Sequence, residues 1–291
     1  MHIHASSALP PAQVESDFIR ALLETDRHYF VLAAKRSSAS GLELLYMEGH
    51  VNSPSGAVIW GVDGRCGEDG FRDMLLRAES ELQHLGGRVM RVYLEDPVPQ
   101  TRVNAFSRLL YRPRTELALM ARLPLPFGEL DPTYRLRAVQ NEQDWRMKEA
   151  LHAGEEGQPD GYRLSASAWV ELERKKCATG QMSCYLVFWA DEPVATVALM
   201  RDGDVARLKN LYVGAQHRRR GVGLATILLL GQKANELGCR RFGCFAVEGG
   251  KALGVYERAG LRVVASVTEF SKELAPSRLR RRLSEKDHGT N

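Results

Sequence analysis

Six consecutive residues combine charge with backbone freedom: Arg218-Arg219-Arg220-Gly221-Val222-Gly223. Two glycines spaced by one residue allow a tight turn and leave backbone N–H groups uncovered. The run lies between an apolar strand-like stretch, Arg207 to Val213, and a helix-like stretch, Ala225 to Gly238. A helix start adds free N–H groups and the positive end of its dipole. Strand, basic glycine turn and helix start together form an anion cradle suited to a phosphate or pyrophosphate. A P-loop is excluded, because no Gly-x-x-x-x-Gly-Lys-Ser/Thr occurs. A dinucleotide fingerprint requires Gly-x-Gly-x-x-Gly, and this turn has only Gly-x-Gly.

The surrounding sequence must position this turn. Tyr134 to Val139 reads as a strand, Asp144 to Glu156 as a helix with Met147, Ala150 and Leu151 on one face, and Ser165 to Ala178 as a second helix. Ser183 to Ala190 and Val194 to Met200 form an expected hairpin across Asp191-Glu192-Pro193. A turn at Asp202-Gly203-Asp204 leads into the strand Arg207–Val213. A helix (Leu224–Leu237), a strand (Arg241–Val247), a helix (Lys251–Ala259) and a strand (Leu261–Phe270) complete the pattern. Helices set among short strands indicate an α/β sheet rather than a bundle or sandwich.

The N-terminal half ends in the same order: helix Met74–Leu85, strand Arg88–Leu94, helix Thr101–Leu110, strand Thr115–Leu123. An offset of 152 residues matches Leu76 with Leu228, Leu85 with Leu237, Gly86 with Gly238 and Arg88 with Arg240. An offset of 150 then matches Arg108 with Arg258 and Arg112 with Arg262. The shared order of elements favours an internal duplication over two unrelated α/β domains. Between the halves, Leu123 to Pro132 carries three prolines and one glycine and reads as a linker. The expected division is residues 1–123, a linker at 124–133, a second domain at 134–274, and a basic tail at 275–291.

Bulk composition is that of an ordinary globular chain: 44% hydrophobic and 26% charged over 291 residues. A net charge of +4 is too slight to imply nucleic-acid binding, and the basic excess is local, in Arg218–Arg220 and in Arg278 and Arg280–Arg282. No apolar run reaches the ~18–20 residues of a membrane span, and Met1 to Ala5 lacks the character of a signal peptide. Five cysteines without a Cys-x-x-Cys spacing suit a reducing, cytoplasmic setting, with Cys239 and Cys244 packed as small apolar residues.

With its preceding Leu211-Tyr212-Val213 and following apolar helix, the turn resembles the signature of the GNAT superfamily of acyl-CoA-dependent N-acyltransferases: Arg or Gln, two residues, Gly, one residue, then Gly or Ala. A second family element, an aromatic helix end running into Gly-aliphatic, matches Val255-Tyr256-Glu257-Arg258-Ala259-Gly260-Leu261. The resemblance covers about Tyr134 to Glu273, and the second element at its expected distance disfavours a merely solvated basic turn. It implies an α/β (α+β) class with two GNAT-like domains, each a mixed central β-sheet flanked by helices. It further implies acetyl-CoA as co-substrate, without a metal. The pyrophosphate would rest on N–H groups of about Arg219 to Ala225, within a cofactor-binding set of Arg218, Arg219, Arg220, Gly221, Val222, Gly223, Leu224 and Ala225. The pantetheine arm would pair with the backbone of Leu211, Tyr212 and Val213, where two parallel strands splay apart.

The implied reaction is acetyl transfer to an amine by direct attack in a ternary complex. Tyr256 stands at the family's acid position, and a phenol of pKa ~10 can protonate a departing thiolate of pKa ~8.5. An oxyanion donor would be a backbone N–H near Val213. Some relatives carry a base eleven residues before the signature, where this chain has Arg207. Glu248, Glu155, Glu156, His152 and a water relay remain as alternatives. An asparagine common in the family is replaced by Gly249.

In the first copy, Arg65 to Phe71 puts two carboxylates, Glu68 and Asp69, where a pyrophosphate would sit, and Phe106 takes the tyrosine position. That copy is expected not to bind coenzyme A and to serve as a scaffold, or to line the acceptor cleft. The acceptor is open between small amines, amino acids, aminoglycosides and peptide N-termini. Neither nucleic acid nor membrane is expected as a partner, and the chain would be a monomer or homodimer. An acyl-CoA sensor without turnover and a transferase of longer acyl groups are the competing readings.

Overall fold

The structure, a computed structural model, describes residues 11–52, 56–60, 67–95, 97–126, 130–153 and 165–274. In chain order the elements are α1 (Pro11–Val31), β1 (Lys35–Ser37), β2 (Leu44–Tyr46), β3 (Ala57–Trp60), α2 (Glu68–His84), β4 (Val89–Glu95), α3 (Gln100–Arg108) and β5 (Arg112–Arg122). There follow β6 (Tyr134–Ala138), α4 (Glu142–Ala153), α5 (Ala166–Cys177), β7 (Met182–Trp189), β8 (Glu192–Asp202) and β9 (Val205–Val213). The chain then forms α6 (Val222–Glu236), β10 (Arg241–Val247), α7 (Leu253–Arg258) and β11 (Arg262–Glu273). The elements divide into two compact units, each discontinuous in sequence. No helix among the described residues is long and apolar enough to cross a membrane.

The first unit comprises Met1–Arg27, Leu117–Met147 and Gln181–Ala265. Its sheet runs β5-β10-β9-β8-β7-β6, with β9 and β10 parallel and the run from β6 to β9 antiparallel. Alternation along the strands assigns two faces. Ala206, Leu208, Phe242 and Cys244 point to α6 and meet Ile227, Leu230 and Ala234. The intervening positions, Val205 and Phe245, point to α1 and meet Phe18 and Leu22. Gly243 lies on that second face, where a Cβ would come within 2.8 Å of the Leu119 carbonyl and 2.9 Å of Phe18 Cζ. Only glycine lets α1 lie this close to β10. Cys239 and Cys244 are buried as expected, at 2% and 1% exposure.

The second unit comprises His28–Glu116, Lys148–Gly180 and Ser266–Asn291. Its sheet runs β1-β2-β3-β4-β11, and β3 and β4 are parallel. Phe71, Leu75, Ala78 and Leu82 form the buried stripe of α2, packing with Phe106 of α3 and Phe270 of β11. This stripe carries α2 back to Glu68, six residues before the expected start at Met74. The helix α1 and the three short strands after it were not anticipated from sequence.

The repeat offsets persist in the elements. β4 and β10 begin 152 residues apart, and β5 and β11 begin 150 apart. The two extra residues of the first copy fall at the start of α3, which has nine residues against six in α7. The last strand of each copy is exchanged: Leu117–Arg122 of β5 joins the unit of β10, and Ser266–Glu273 of β11 pairs with β4. The expected turn at 157–161 and the basic tail from 275 lie outside the described residues.

Candidate functional site

The turn after β9 is built by two left-handed residues. A short 3-10 turn, Ala215–His217, is followed by Arg218 in extended conformation, then Arg219 at φ 61° and Gly221 at φ 82°. A left-handed conformation is strained for arginine and unstrained for glycine. Arg218 Nε donates to the Val213 carbonyl at 3.1 Å, tying the turn back to the end of β9. The N–H groups from Arg219 to Leu224 have no acceptor among the described residues, whereas Ala225 N–H already donates to Gly221 O at 3.0 Å. The cradle of free N–H groups therefore ends at Leu224, one residue before the expected limit, because Ala225 closes the first helical turn. No acidic residue occupies the first turn of α6, so the helix dipole acts unopposed on an anion.

Beside the turn, the sheet forks. β9 and β10 pair through Val205↔Arg241, Ala206↔Phe242 and Arg207↔Gly243, and then part. Asn210, at φ 53°, sits where the register of β8 and β9 shifts between Thr196 and Ala198. This bulge bends β9. Tyr212 and Val213 stay paired to β8 on one side, and beyond Arg207 no pairing with β10 occurs on the other among the described residues.

A cavity of about 800 Å³ fills the fork and reaches the turn. Its lining includes Arg218, Arg219, Lys251, Arg258 and His217, and carries no carboxylate among the described residues. Gly223 faces it: a Cβ there would sit 3.7 Å from Val255 and 3.9 Å from Val213, in open contact with both walls. Tyr256, on α7, also lines the cavity and is 8% exposed. Burial pushes its phenol well above the usual range, the neighbouring Cys244 adds to this, and Arg207 opposes it. The phenol is protonated throughout the physiological range and is available only as a donor.

Of the residues expected at the site, Leu211, Val213, Arg218, Arg219, Gly221, Val222, Gly223, Leu224 and Tyr256 line the cavity. Three do not. Tyr212 lies under Arg218, whose Cζ is 5.4 Å from the ring. Arg220 borders a smaller cavity of about 220 Å³ with Tyr134 and Trp189, and Ala225 is buried in the helix. Sequence reasoning missed the contribution of Lys251, in the turn before α7, and of Val255 and Arg258 on α7, all of which reach the cavity. Their i, i+4, i+7 spacing, one face of a helix, was the available signal.

None of the candidate bases that is described lines the cavity. Glu248 is exposed and does not line the cavity, and Glu155 and Glu156 lie outside the described residues. His152 belongs to the second unit. Burial and the charge of Lys148 push it down to about 3, leaving it too weak to take a proton from an ammonium ion. In the second unit, Phe106 is fully buried and stacks on Phe270 with ring centroids 3.9 Å apart, and Glu68 and Asp69 lie in the first turn of α2. Arg65 and Cys66 of that connection lie outside the described residues.

Residues 141–261 match the sequence model of the acetyltransferase (GNAT) family. A search of curated proteins returned no match. Among solved structures, a functionally unknown conserved protein from Staphylococcus epidermidis superposes with a TM-score of 0.65 at 8% identity, over 84% of this chain and 96% of that one. A GCN5-related N-acetyltransferase from Sphaerobacter thermophilus gives 0.59 at 18% identity, covering 80% and 77%. A tandem GNAT protein from the clavulanic acid biosynthesis pathway gives 0.53 at 11%, covering 81% and 79%. Identities this low speak to the fold, and the fold agrees with the sequence match: residues 141–261 resemble the GNAT acetyltransferase family, within a mixed α/β structure that matches GNAT folds.

Proposed function

We propose that this protein is an N-acetyltransferase that moves an acetyl group from acetyl-CoA to an amine in a ternary complex. The observation that carries the reading is the fork cavity, which runs from an acid-free helix N-terminus with uncovered N–H groups to a buried, protonated tyrosine. Its size is within the range of small-molecule sites, and its cationic lining suits a phosphorylated ligand. We assign the free N–H groups from Arg219 to Leu224 to the pyrophosphate, with Arg219, Lys251 and Arg258 adding charge-assisted contacts. Arg218 acts mainly by holding the turn, since its Nε–H is committed to Val213. The side of β9 away from β8, at Leu211 to Val213, takes the pantetheine arm as a strand takes its neighbour.

In this reading the neutral amine nitrogen bonds to the thioester carbon, and a backbone N–H near Val213 donates to the developing oxyanion. Collapse breaks the carbon–sulfur bond, and Tyr256 gives its phenolic proton to the departing sulfur. The proton lost by the amine passes through water and restores the phenol, since the cavity lining carries no carboxylate. The working domain is the C-terminal sequence copy, and the first copy acts as scaffold.

Release of free thiol from acetyl-CoA, screened against small amines, amino acids, aminoglycosides and peptides, tests the proposal. Turnover with at least one amine is expected. Tight acetyl-CoA binding without turnover on any of them would favour a sensor instead.

A further inference from the structure

The smaller cavity beside the cradle has no part in the acyl-transfer scheme. It measures about 220 Å³, and its lining includes Asp131, Tyr134, Trp189, His217, Arg220 and Val222. Tyr134 and Trp189 are partners across β6 and β7, so their rings project side by side from one face of the sheet. The Trp189 indole is 46% exposed. His217 and Val222 also line the main cavity, so the two cavities adjoin. The turn divides its arginines between them. Arg219 and Gly221, both left-handed, line the main cavity, while Arg220 between them lines the smaller one.

His217 is an independent sign of a ligand. It is 5% exposed, and its buried Nε2 makes no hydrogen bond among the described residues. Glu192 Oε1 lies 3.4 Å away without hydrogen-bonding geometry. Buried polar atoms are nearly always satisfied, so a polar group in the cavity would complete this one. The rest of the lining narrows its chemistry. Tyr134 and Trp189 offer aromatic faces for stacking. Asp131 accepts from Thr133 N–H at 2.9 Å, a bond that favours its ionised form. That carboxylate opposes a phosphate inside the pocket and suits a ring bearing an amino group. Arg220, exposed at the rim, suits a phosphate attached to such a ring. An aminopurine nucleotide meets all of these demands. The volume is below the ~300–1,000 Å³ of sites for whole small molecules, so it holds one ring system. A ring tethered to a donor already seated in the adjoining cavity gains from its high effective concentration.

Resting on the acetyl-transfer reading, we propose that the pocket of Tyr134, Trp189 and His217 seats the adenine ring of the acetyl-CoA donor. The ring stacks on Trp189, His217 Nε2 donates to a ring nitrogen, Asp131 accepts from the amino group, and Arg220 pairs with the nucleotide's own phosphate. The donor thus straddles the start of α6, with its pantetheine arm in the fork and its base on the opposite side of the turn. A thioester carried on phosphopantetheine without a nucleotide forgoes these contacts, so the pocket selects for the coenzyme A form of the donor.

The test is calorimetry of acetyl-CoA and of acetyl phosphopantetheine, which lacks the nucleotide, on the unsubstituted protein and on Trp189→Ala. Trp189→Leu, which keeps apolar cover without a stacking face, replaces that variant if it does not fold. We expect Trp189→Ala to weaken acetyl-CoA about 10-fold and acetyl phosphopantetheine by less than about 2-fold, with Trp189→Phe recovering most of the loss. No loss for acetyl-CoA, or an equal loss for both donors, would overturn the proposal. An etheno-adenine analogue of the donor gives a second readout. Its fluorescence should be quenched on binding and recover in Trp189→Ala, and equal quenching in both proteins contradicts stacking on this residue. Adenosine bisphosphate, the free nucleotide end, should compete with acetyl-CoA. If it binds alongside the donor instead, the pocket serves a free nucleotide and the assignment to the donor fails. Absence of acetyl-CoA binding by the unsubstituted protein, by contrast, would sink the acetyl-transfer reading itself.

Discussion

Two parallel strand pairs, β9–β10 and β3–β4, occur among the described residues, and their differences are local. In the first unit, β9 and β10 part after Arg207↔Gly243 and open into the 800 Å³ cavity. In the second unit, β3 and β4 remain paired to Trp60↔Tyr93. Under the 152-residue offset Tyr93 corresponds to Phe245, two residues beyond the point where the fork opens. The paired residues Trp60 and Tyr93 stack with centroids 5.3 Å apart, and Phe30 packs against both, at 5.8 and 5.2 Å. The helix after the fork starts at a left-handed glycine with no acid in its first turn, while α2 starts with Glu68 and Asp69. Tyr256 lines a cavity, while Phe106 is locked between aromatic rings. The same order of elements borders an open cavity in one unit and an aromatic cluster in the other.

The largest expected effect comes from giving the first unit the second unit's residue at the proposed acid. Tyr256→Phe should lower kcat by about 10²-fold or more, with the acetyl-CoA Kd nearly unchanged, measured by thiol release and calorimetry. An unaltered kcat would remove Tyr256 from the chemistry. Next, Gly223→Asp places a carboxylate at the start of α6, as α2 has at its own start. The Cβ fits without a clash, so the fold should persist by circular dichroism while acetyl-CoA binding weakens by about 10²-fold through like-charge repulsion. The reverse exchange should gain nothing. Phe106→Tyr buries a hydroxyl among aromatic rings and should cost about 1–3 kcal/mol in denaturant unfolding without creating a second binding event.

The smallest effect concerns pH. Because the Asp26 pKa is held below its ordinary 3.8 in the folded protein, the unfolded chain takes up the proton first as pH falls. The stability from its pairing is complete above the ordinary value and is lost as pH falls through the folded one. Asp26→Asn should therefore lower the melting temperature at pH 7 and shrink the further drop between about pH 4 and pH 3. An equally steep acid drop in the variant would show that the carboxylate is not held as described.

The site was legible where its determinants are consecutive. Arg218 to Gly223 and the Tyr256 to Leu261 segment name a turn and a helix end through residues whose backbone demands are local. Boundaries followed where an apolar stripe marked them, and α2 was started late because Glu68 and Asp69 interrupt the pattern before Phe71. Pairings between distant segments were not legible. Asp26 meets Arg207 across most of the chain, and neither residue signals the other. The exchange of β5 and β11 depends on which strand edge each finds in three dimensions. The cluster of Phe30, Trp60 and Tyr93 is likewise an assembly of aromatic residues from three separate elements.

The central claim is that the first unit binds the acyl donor and the second does not. Titration calorimetry with acetyl-CoA tests it most directly. The account predicts one site per chain, abolished or greatly weakened by Gly223→Asp; two sites per chain, or undiminished binding in that variant, would contradict it.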